Sequence, residues 1–175
     1  ITPGLLAGLL YFGSGAGLAL VKLGLRLGRH TPEPPLQASD YPWLAGAVAS
    51  GGIAAPLLLM WGLAGASASG VSLLLNLEGI LTALIAALAF KEAVAGRIWL
   101  AACLMLGAGL LLGHDARAGF GLSLRMLAVI AACALWALDN NLTRRISAAD
   151  PVSIAMIKGL AAGSANIVAA LAFGA

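Results

Sequence analysis

The sequence predicts an all-α membrane protein, a polytopic bundle of six transmembrane helices, on three observations. Of its 175 residues, 61% are hydrophobic and 10% charged, against roughly 25% charge in soluble domains. The mean hydropathy is +1.00, and the apolar runs are long enough to cross a hydrocarbon layer about 30 Å thick. No alternation of period two is visible, so the roughly ten-residue dyads of a membrane β-barrel do not fit. A soluble enzyme is excluded by the same composition. So is nucleic-acid binding through a basic patch, because the net charge of +3 is dispersed in small clusters.

The charges divide the chain. Ile1 to Val21 carries none and gives the first helix; Lys22, Arg26 and Arg29 follow and lead into a polar loop that ends at Asp40. Tyr41 to Leu77 is again uncharged, too long for one span of about 20 residues. The small-residue tract Gly65 to Gly70 marks the break, giving helices over roughly 43–64 and 69–90. The short loop Lys91 to Gly96 precedes a fourth helix at about 97–113, and His114 to Ser123 is another loop. A fifth helix covers about 124–145, and a turn from Arg144 to Asp150 leads to Pro151, which opens the sixth. Proline suits a first helical turn because its missing N–H would be unpaired there anyway. Apolar residues reach both chain ends, and no charged leader or signal-peptide cleavage site is visible. The chain is read as an excerpt of a longer polytopic protein.

Six alternating helices put Lys22, Arg26, Arg29, Lys91, Arg97, Arg144 and Arg145 on one side and Arg117 and Arg125 on the other. The positive-inside bias makes the first side cytoplasmic. The first helix then enters from outside, which implies an odd number of helices upstream if the N-terminus is cytoplasmic.

Glycines spaced four apart, Gly4/Gly8, Gly13/Gly17, Gly109/Gly113 and Gly159/Gly163, predict close helix packing, and they also permit helices to slide or bend. Helix 69–90 is polar on two sides: Ser69, Ser72 and Asn76 form one stripe, and Ser67, Glu78 and Thr82 another about 160° away. It is expected inside the bundle, with Glu78 roughly 14 Å deep. There an ionised carboxylate needs a partner or water, either as a hydrogen-bonded tie or as part of a water-filled pathway. Trp136, Asp139, Asn140, Asn141 and Thr143 cluster near the cytoplasmic end of the fifth helix. Counted from that end, Asp139 and Lys158 reach a similar depth of about 8–10 Å, which predicts an ion pair; separate snorkelling to the headgroups is the alternative. Asn166 serves either as interhelical glue or as a substrate contact. Tyr11, Trp61 and Trp99 are read as packing or interface aromatics, and Cys103 and Cys133 as core packing. His30 and His114 lie far apart in loops, so no metal site is expected, nor any cofactor.

The segment Leu75-Asn76-Leu77-Glu78-Gly79-Ile80-Leu81-Thr82-Ala83-Leu84, running on to Phe90-Lys91-Glu92 and then Trp99 to Gly113, resembles the helix-four/helix-five signature of EamA-type drug/metabolite transporters. In that superfamily a leucine-glutamate pair, usually followed by Pro, precedes an apolar run ending in Gly-Glu. Here Gly79 stands for the Pro and Lys91 for the Gly, departures that point to a subfamily. Ala134 to Ser147 also looks like the opening helix of the second repeat. The resemblance implies ten helices in two inverted five-helix repeats (5+5), of which these six are the second to seventh. Residues 1–113 are then the last four helices of the first repeat and residues 124–175 the first two of the second. The sixth helix, Lys158 to Ser164, is similar to the first, Ala7 to Ser14, as repeats facing a central site require.

The activity implied by the resemblance is export or exchange of small organic metabolites or drugs by alternating access. Asn76, Glu78, Trp136, Asp139, Asn140, Lys158 and Asn166 are the candidates for a polar pathway. Proton coupling would use Glu78 or Asp139 as carrier. The expected surroundings are the lipid bilayer, in a bacterial inner (plasma) membrane, with a small-molecule substrate, protons if the cycle is coupled, a second copy in a homodimer, and no nucleic acid. Two rival readings are a membrane-embedded enzyme acting on a lipid-like substrate, which lacks a second carboxylate near Asp139 for Mg²⁺ and phosphate, and a non-transporting assembly subunit.

Overall fold

The computed structural model describes residues 2–27, 33–64, 68–112 and 123–172, and every regular element among them is helical. Helix α1 is Pro3–Leu27. A second span, Ala38–Leu63, joins a 3₁₀ turn to α2 (Tyr41–Ala47), a π-helical segment (Val48–Ala54) and α3 (Ala55–Leu63). It is followed by α4 (Ala68–Leu75), α5 (Leu77–Leu88), α6 (Gly96–Leu112), α7 (Leu124–Arg145) and α8 (Pro151–Ala172). Five stretches are long and apolar enough to cross a membrane: Gly4–Leu25, Ala38–Leu63, Gly70–Leu88, Leu124–Arg145 and Pro151–Ala172; Gly96–Met105 is shorter.

Three expected helices change in detail. The first runs six residues beyond Val21, because Lys22 finds a partner on α8 and does not have to end the helix. The second starts at Ala38, where the Gln37 N–H donates to Asp40 Oδ2 at 2.8 Å and Pro42 occupies the first turn. The third is broken at Asn76. Its N–H bonds back only three residues, to Leu73 O, and its side chain leans on Ser72 O at 3.5 Å, the local competition that makes Asn a poor interior helix residue. Ser67, Gly65 and the loop 113–122, with Arg117 and His114, lie outside the described residues, as do Arg29 and His30.

At the end of α5, Phe90 N–H bonds Ile85 O and Glu92 N–H bonds Ala86 O at 3.0 Å, and Lys91 between them has φ 53°. The helix thus closes on wide backbone turns around one left-handed residue, a conformation that favours Gly. The family's usual Gly thus has a backbone reason, and Lys91 adopts the same conformation against its intrinsic preference.

Helix α7 packs against α2, the π-segment, α3, α4 and α5; α8 lies on the other side of the π-segment, and α1 lies along α8. The Ala38–Leu63 span is therefore a wedge between α7 and α8. Its glycines make that fit: a Cβ on Gly62 would stand 2.6 Å from Val129 Cγ2, and one on Gly52 2.6 Å from Ala162 Cβ. Toward the N-terminal half of α7, Val71, Val129 and Cys133 form a core with Leu59, Leu74, Leu75, Leu77 and Leu81; beyond its C-terminal end, Leu44, Ile146, Ala149 and Ile154 form another. Cys133 is core as expected, but Cys103 faces outward.

Only part of the glycine expectation holds. Gly159 and Gly163 of α8 do meet α1 backbone, at Gly15 and Phe12, and Gly8 meets Ile167. Yet Gly13 and Gly17 face open space, and Gly15 takes their place. Gly8 and Gly15, seven residues apart, share the contact face, as do Gly159 and Gly163, whereas Gly13 and Gly17 lie about 140° and 180° around the axis from Gly8. Gly113 lies outside the described residues, and so do side-chain neighbours at Gly109.

The C-terminal end of α1 and the N-terminal end of α8 are tied by charge. Asp150 caps α8, accepting from Val152 N–H at 2.9 Å and from Ser153 Oγ, while Lys22 Nζ donates to Asp150 Oδ2 at 2.8 Å and to Ser153 Oγ. Lys22, then Ser153, hold the Asp150 carboxyl down at about 2 from the ordinary 3.8.

Two outcomes are expected. Gly163→Val should push α1 off α8 and lower unfolding free energy by about 1–3 kcal/mol in detergent, whereas Gly13→Ala should change it by less than about 0.5 kcal/mol; equal effects would refute the backbone contact. Because Asp150's folded value is depressed, its contribution is present above about pH 4 and lost as pH falls toward 2. The melting difference between the parent and Lys22→Met should therefore be constant from about pH 7 to 5 and vanish near pH 2.

Candidate functional site

Asp139 and Thr143 are one helical turn apart on α7 and so share a face. Lys158 reaches them from α8: its Nζ is 2.5 Å from Asp139 Oδ1 and donates to Thr143 Oγ1 at 2.9 Å, and that hydroxyl donates to Asp139 Oδ1 at 2.9 Å. The expected ion pair is formed. Asp139 is 8% exposed, so within the bilayer each charge answers the desolvation cost of the other.

The pair crosses the wedge at a glycine. Gly51 carries its Cα against the Asp139 carboxylate, and a Cβ there would overlap Oδ2. The π-segment explains what else gathers at this level. Pro56 has no N–H, so the carbonyls four and five residues back, on Gly52 and Gly51, lack the donor that an α- or π-helix would give them. Side chains from three other helices supply it: Gly51 O accepts from Trp136 Nε1 at 3.0 Å and from Tyr11 Oη at 3.4 Å, and Gly52 O accepts from Asn166 Nδ2 at 2.8 Å. Asn166 is fully buried, and its Oδ1 has no hydrogen-bond partner.

Beside the pair lies a groove of about 340 Å³. Tyr11, Ser14, Thr143, Ser147, Lys158 and Gly159 line it, together with Pro151, Ile154 and Ala155 at the start of α8. Its chemistry is an amphipathic wall: one ammonium already engaged, four hydroxyls and glycine backbone.

A second polar layer sits on the opposite face of α7. Asn140 Nδ2 donates to Glu78 Oε1 at 3.0 Å and to Thr82 Oγ1 at 3.3 Å, and Asn141 Nδ2 donates to Thr82 O at 3.0 Å. Glu78 and Asn140, taken from separate clusters in the sequence, are thus brought together, while Asp139 and Asn140 point apart. Asn76, expected inside, is exposed, because the break at that residue turns it off the α7-facing side. Asn166 ties α8 to the π-segment, and Trp136 ties α7 to it. Both meet backbone there, as helix-to-helix ties. Tyr11, read as a packing aromatic, lines the groove, and Ser14 lies beside it. Gly51, Gly52 and Pro56 had a legible signal: a proline inside an uncharged span, with glycines at the two positions whose carbonyls it orphans.

At the C-terminal end of α7, Arg144 pairs with Glu92, and the Arg145 guanidinium lies over the Trp43 and Phe90 rings at 5.6 and 5.2 Å. Arg125 holds the outer end of α7 on Trp61, 4.3 Å over its ring and 2.5 Å from its carbonyl. Among the described residues no group of His, Cys, Asp or Glu is arranged to hold a metal.

If Asp139 and Lys158 act as a unit, Asp139→Ala and Lys158→Ala should each cost about 3 kcal/mol of unfolding free energy, and the double variant about as much as either alone. Strict additivity in detergent unfolding would show that the two charges are independent.

No curated protein and no solved structure matches the chain. The EamA-like transporter family does match, over residues 3–113 of the 175. That match covers the first three of the five spans, the shorter α6, and the α4–α5 segment around Glu78 on which the resemblance rests, and the apolar spans make the protein integral to a membrane. The chain belongs to the EamA-like transporter family.

Proposed function

We propose that the protein moves small organic metabolites or drugs across a bacterial inner membrane, as exporter or exchanger, by alternating access, and that it catalyses no chemical step. The observation that carries this reading is the groove of about 340 Å³ beside an intramembrane ion pair. A buried Lys–Asp pair is a costly way to stabilise a bundle, since apolar residues of similar size do as well or better, and intramembrane charges commonly mark solute or ion paths. Lys158, Thr143, Ser14 and Tyr11 are placed to contact a solute, and Asp139 to hold Lys158 until the solute arrives. Trp136 and Asn166 act through backbone, Glu78 and Asn140 form a second polar layer that a proton or solute would pass, and Asn76 has no part.

The inverted-repeat organisation, residues 1–113 and 124–175, is part of the same proposal. It is supported by α1 and α8, which are similar in sequence and pack antiparallel with Phe12 opposite Gly163 near the middle of the contact. Repeats related by an axis in the membrane plane bring equivalent helices together in this way, around a site near the midplane.

The test is flux of a panel of amino acids, metabolites and cationic drugs into proteoliposomes carrying the full-length protein, with and without a pH gradient. Saturable flux that falls at least about tenfold in Lys158→Met, with the melting curve retained, is expected. Flux indifferent to Lys158 and Asp139 would remove the groove as its path. A dependence on the pH gradient that is lost in Asp139→Asn or Glu78→Gln would identify the carrier.

A further inference from the structure

We infer that the Val48–Ala54 π-segment is the moving joint of the groove, and that Gly51 is a positioning residue through which the joint controls the Asp139–Lys158 pair. The inference rests on the transport reading above and names the part that switches its site.

Three observations meet at this segment. A π-helical turn holds one residue more than an α-turn needs, so conversion to α register would rotate α3 relative to α2 by about 100°. The register seen is held from outside: with Pro56 contributing no N–H, the Gly51 and Gly52 carbonyls are bound by Trp136, Tyr11 and Asn166, one from each of α7, α1 and α8. And the arrangement leaves Asn166 Oδ1 fully buried and without a donor, a local cost that a second packing would relieve.

The consequence for the pair is geometric. Asp139 lies where only a residue without a side chain leaves room, on Gly51. If the segment changes register, Ser50 or Gly52 turns toward α7. Ser50 has a Cβ, and its hydroxyl is now bonded to Gly46 O at 2.8 Å. Asp139 is then displaced from Lys158, and the groove wall formed by Lys158 and Thr143 is released. Gly52 would leave Ala162, so α8 shifts at the same moment. Movement of one short segment thus couples the two helices that carry the charges.

Pro56→Ala tests this, because it restores the N–H that lets Gly52 O close an α-turn without Asn166. Ser14→Cys, in a full-length protein with Cys103→Ala and Cys133→Ala, reports the groove through its labelling rate with a membrane-impermeant maleimide. The reagent is added from the side that bears Arg144 and Arg145. Pro56→Ala should lower that rate about fivefold or more, a shift of roughly 1 kcal/mol in the two-state balance. Mere loosening of the fold would raise the rate. Gly51→Ala should lower it as well, since its Cβ excludes the paired position of Asp139. Labelling unchanged within twofold in a folded Pro56→Ala protein would overturn the joint, and this variant carries the test if Gly51→Ala does not fold. Flux is measured on matched vesicles whose protein keeps Ser14, Cys103 and Cys133. Absent flux with a lowered labelling rate would sink the transport reading and keep the joint; intact flux with unchanged labelling would do the reverse.

Discussion

Two backbone carbonyls organise this bundle. In lipid there is no water to hydrogen-bond a peptide group, so any carbonyl without a helical donor must find one on another helix. Pro56 creates that need at Gly51 and Gly52, and Trp136, Tyr11 and Asn166 meet it from α7, α1 and α8. These bonds fix where the Ala38–Leu63 wedge sits. Once it sits there, its glycines determine the rest: Gly52 admits α8, Gly62 admits α7, and Gly51 admits the Asp139 carboxylate.

The charged site follows from that placement. Lys158 has a long side chain and a depth close to that of Asp139, but reach alone does not make a pair between helices with another span between them. The bare Cα of Gly51 opens the passage. Thr143, one turn beyond Asp139, bonds both partners at 2.9 Å, so the ammonium and the carboxylate share a neutral third group that limits their cost. The same α7 face that serves the pair leaves Asn140 and Asn141 to bind α5. One helix therefore carries two polar layers, facing α8 and facing Glu78, without mixing them.

At the membrane boundaries the logic is different, because water and headgroups are at hand. Lys22 and Asp150 join α1 to the start of α8, Arg144 meets Glu92, and Arg145 is spread over Trp43 and Phe90. These contacts tie loops and helix ends to one another at the Arg144 end of α7, close to Ser147 and Pro151 of the groove wall. The turn at Lys91 belongs to the same rim: it brings Glu92 back under Arg144 at the expense of a left-handed lysine.

Sequence by itself determined the class and the order of the helices, though it counted six spans where five helices are long and apolar enough to cross a membrane. Charge gaps and helical rise are one-dimensional quantities, and they were enough to foresee Asp139 opposite Lys158. They did not determine which residues turn toward one another. The offset of Gly15 from Gly13, the exposure of Asn76 beyond a local break, and the meeting of Glu78 with Asn140 depend on rotation about each helix axis, which packing alone sets. The π-segment lies between the two cases. Pro56 and the Gly51-Gly52 pair were legible as an interruption, but whether the orphaned carbonyls would kink the helix, or be bound in place by Trp136, Tyr11 and Asn166, was decided only when those helices came together, because the donors are between 40 and 114 residues away in the chain.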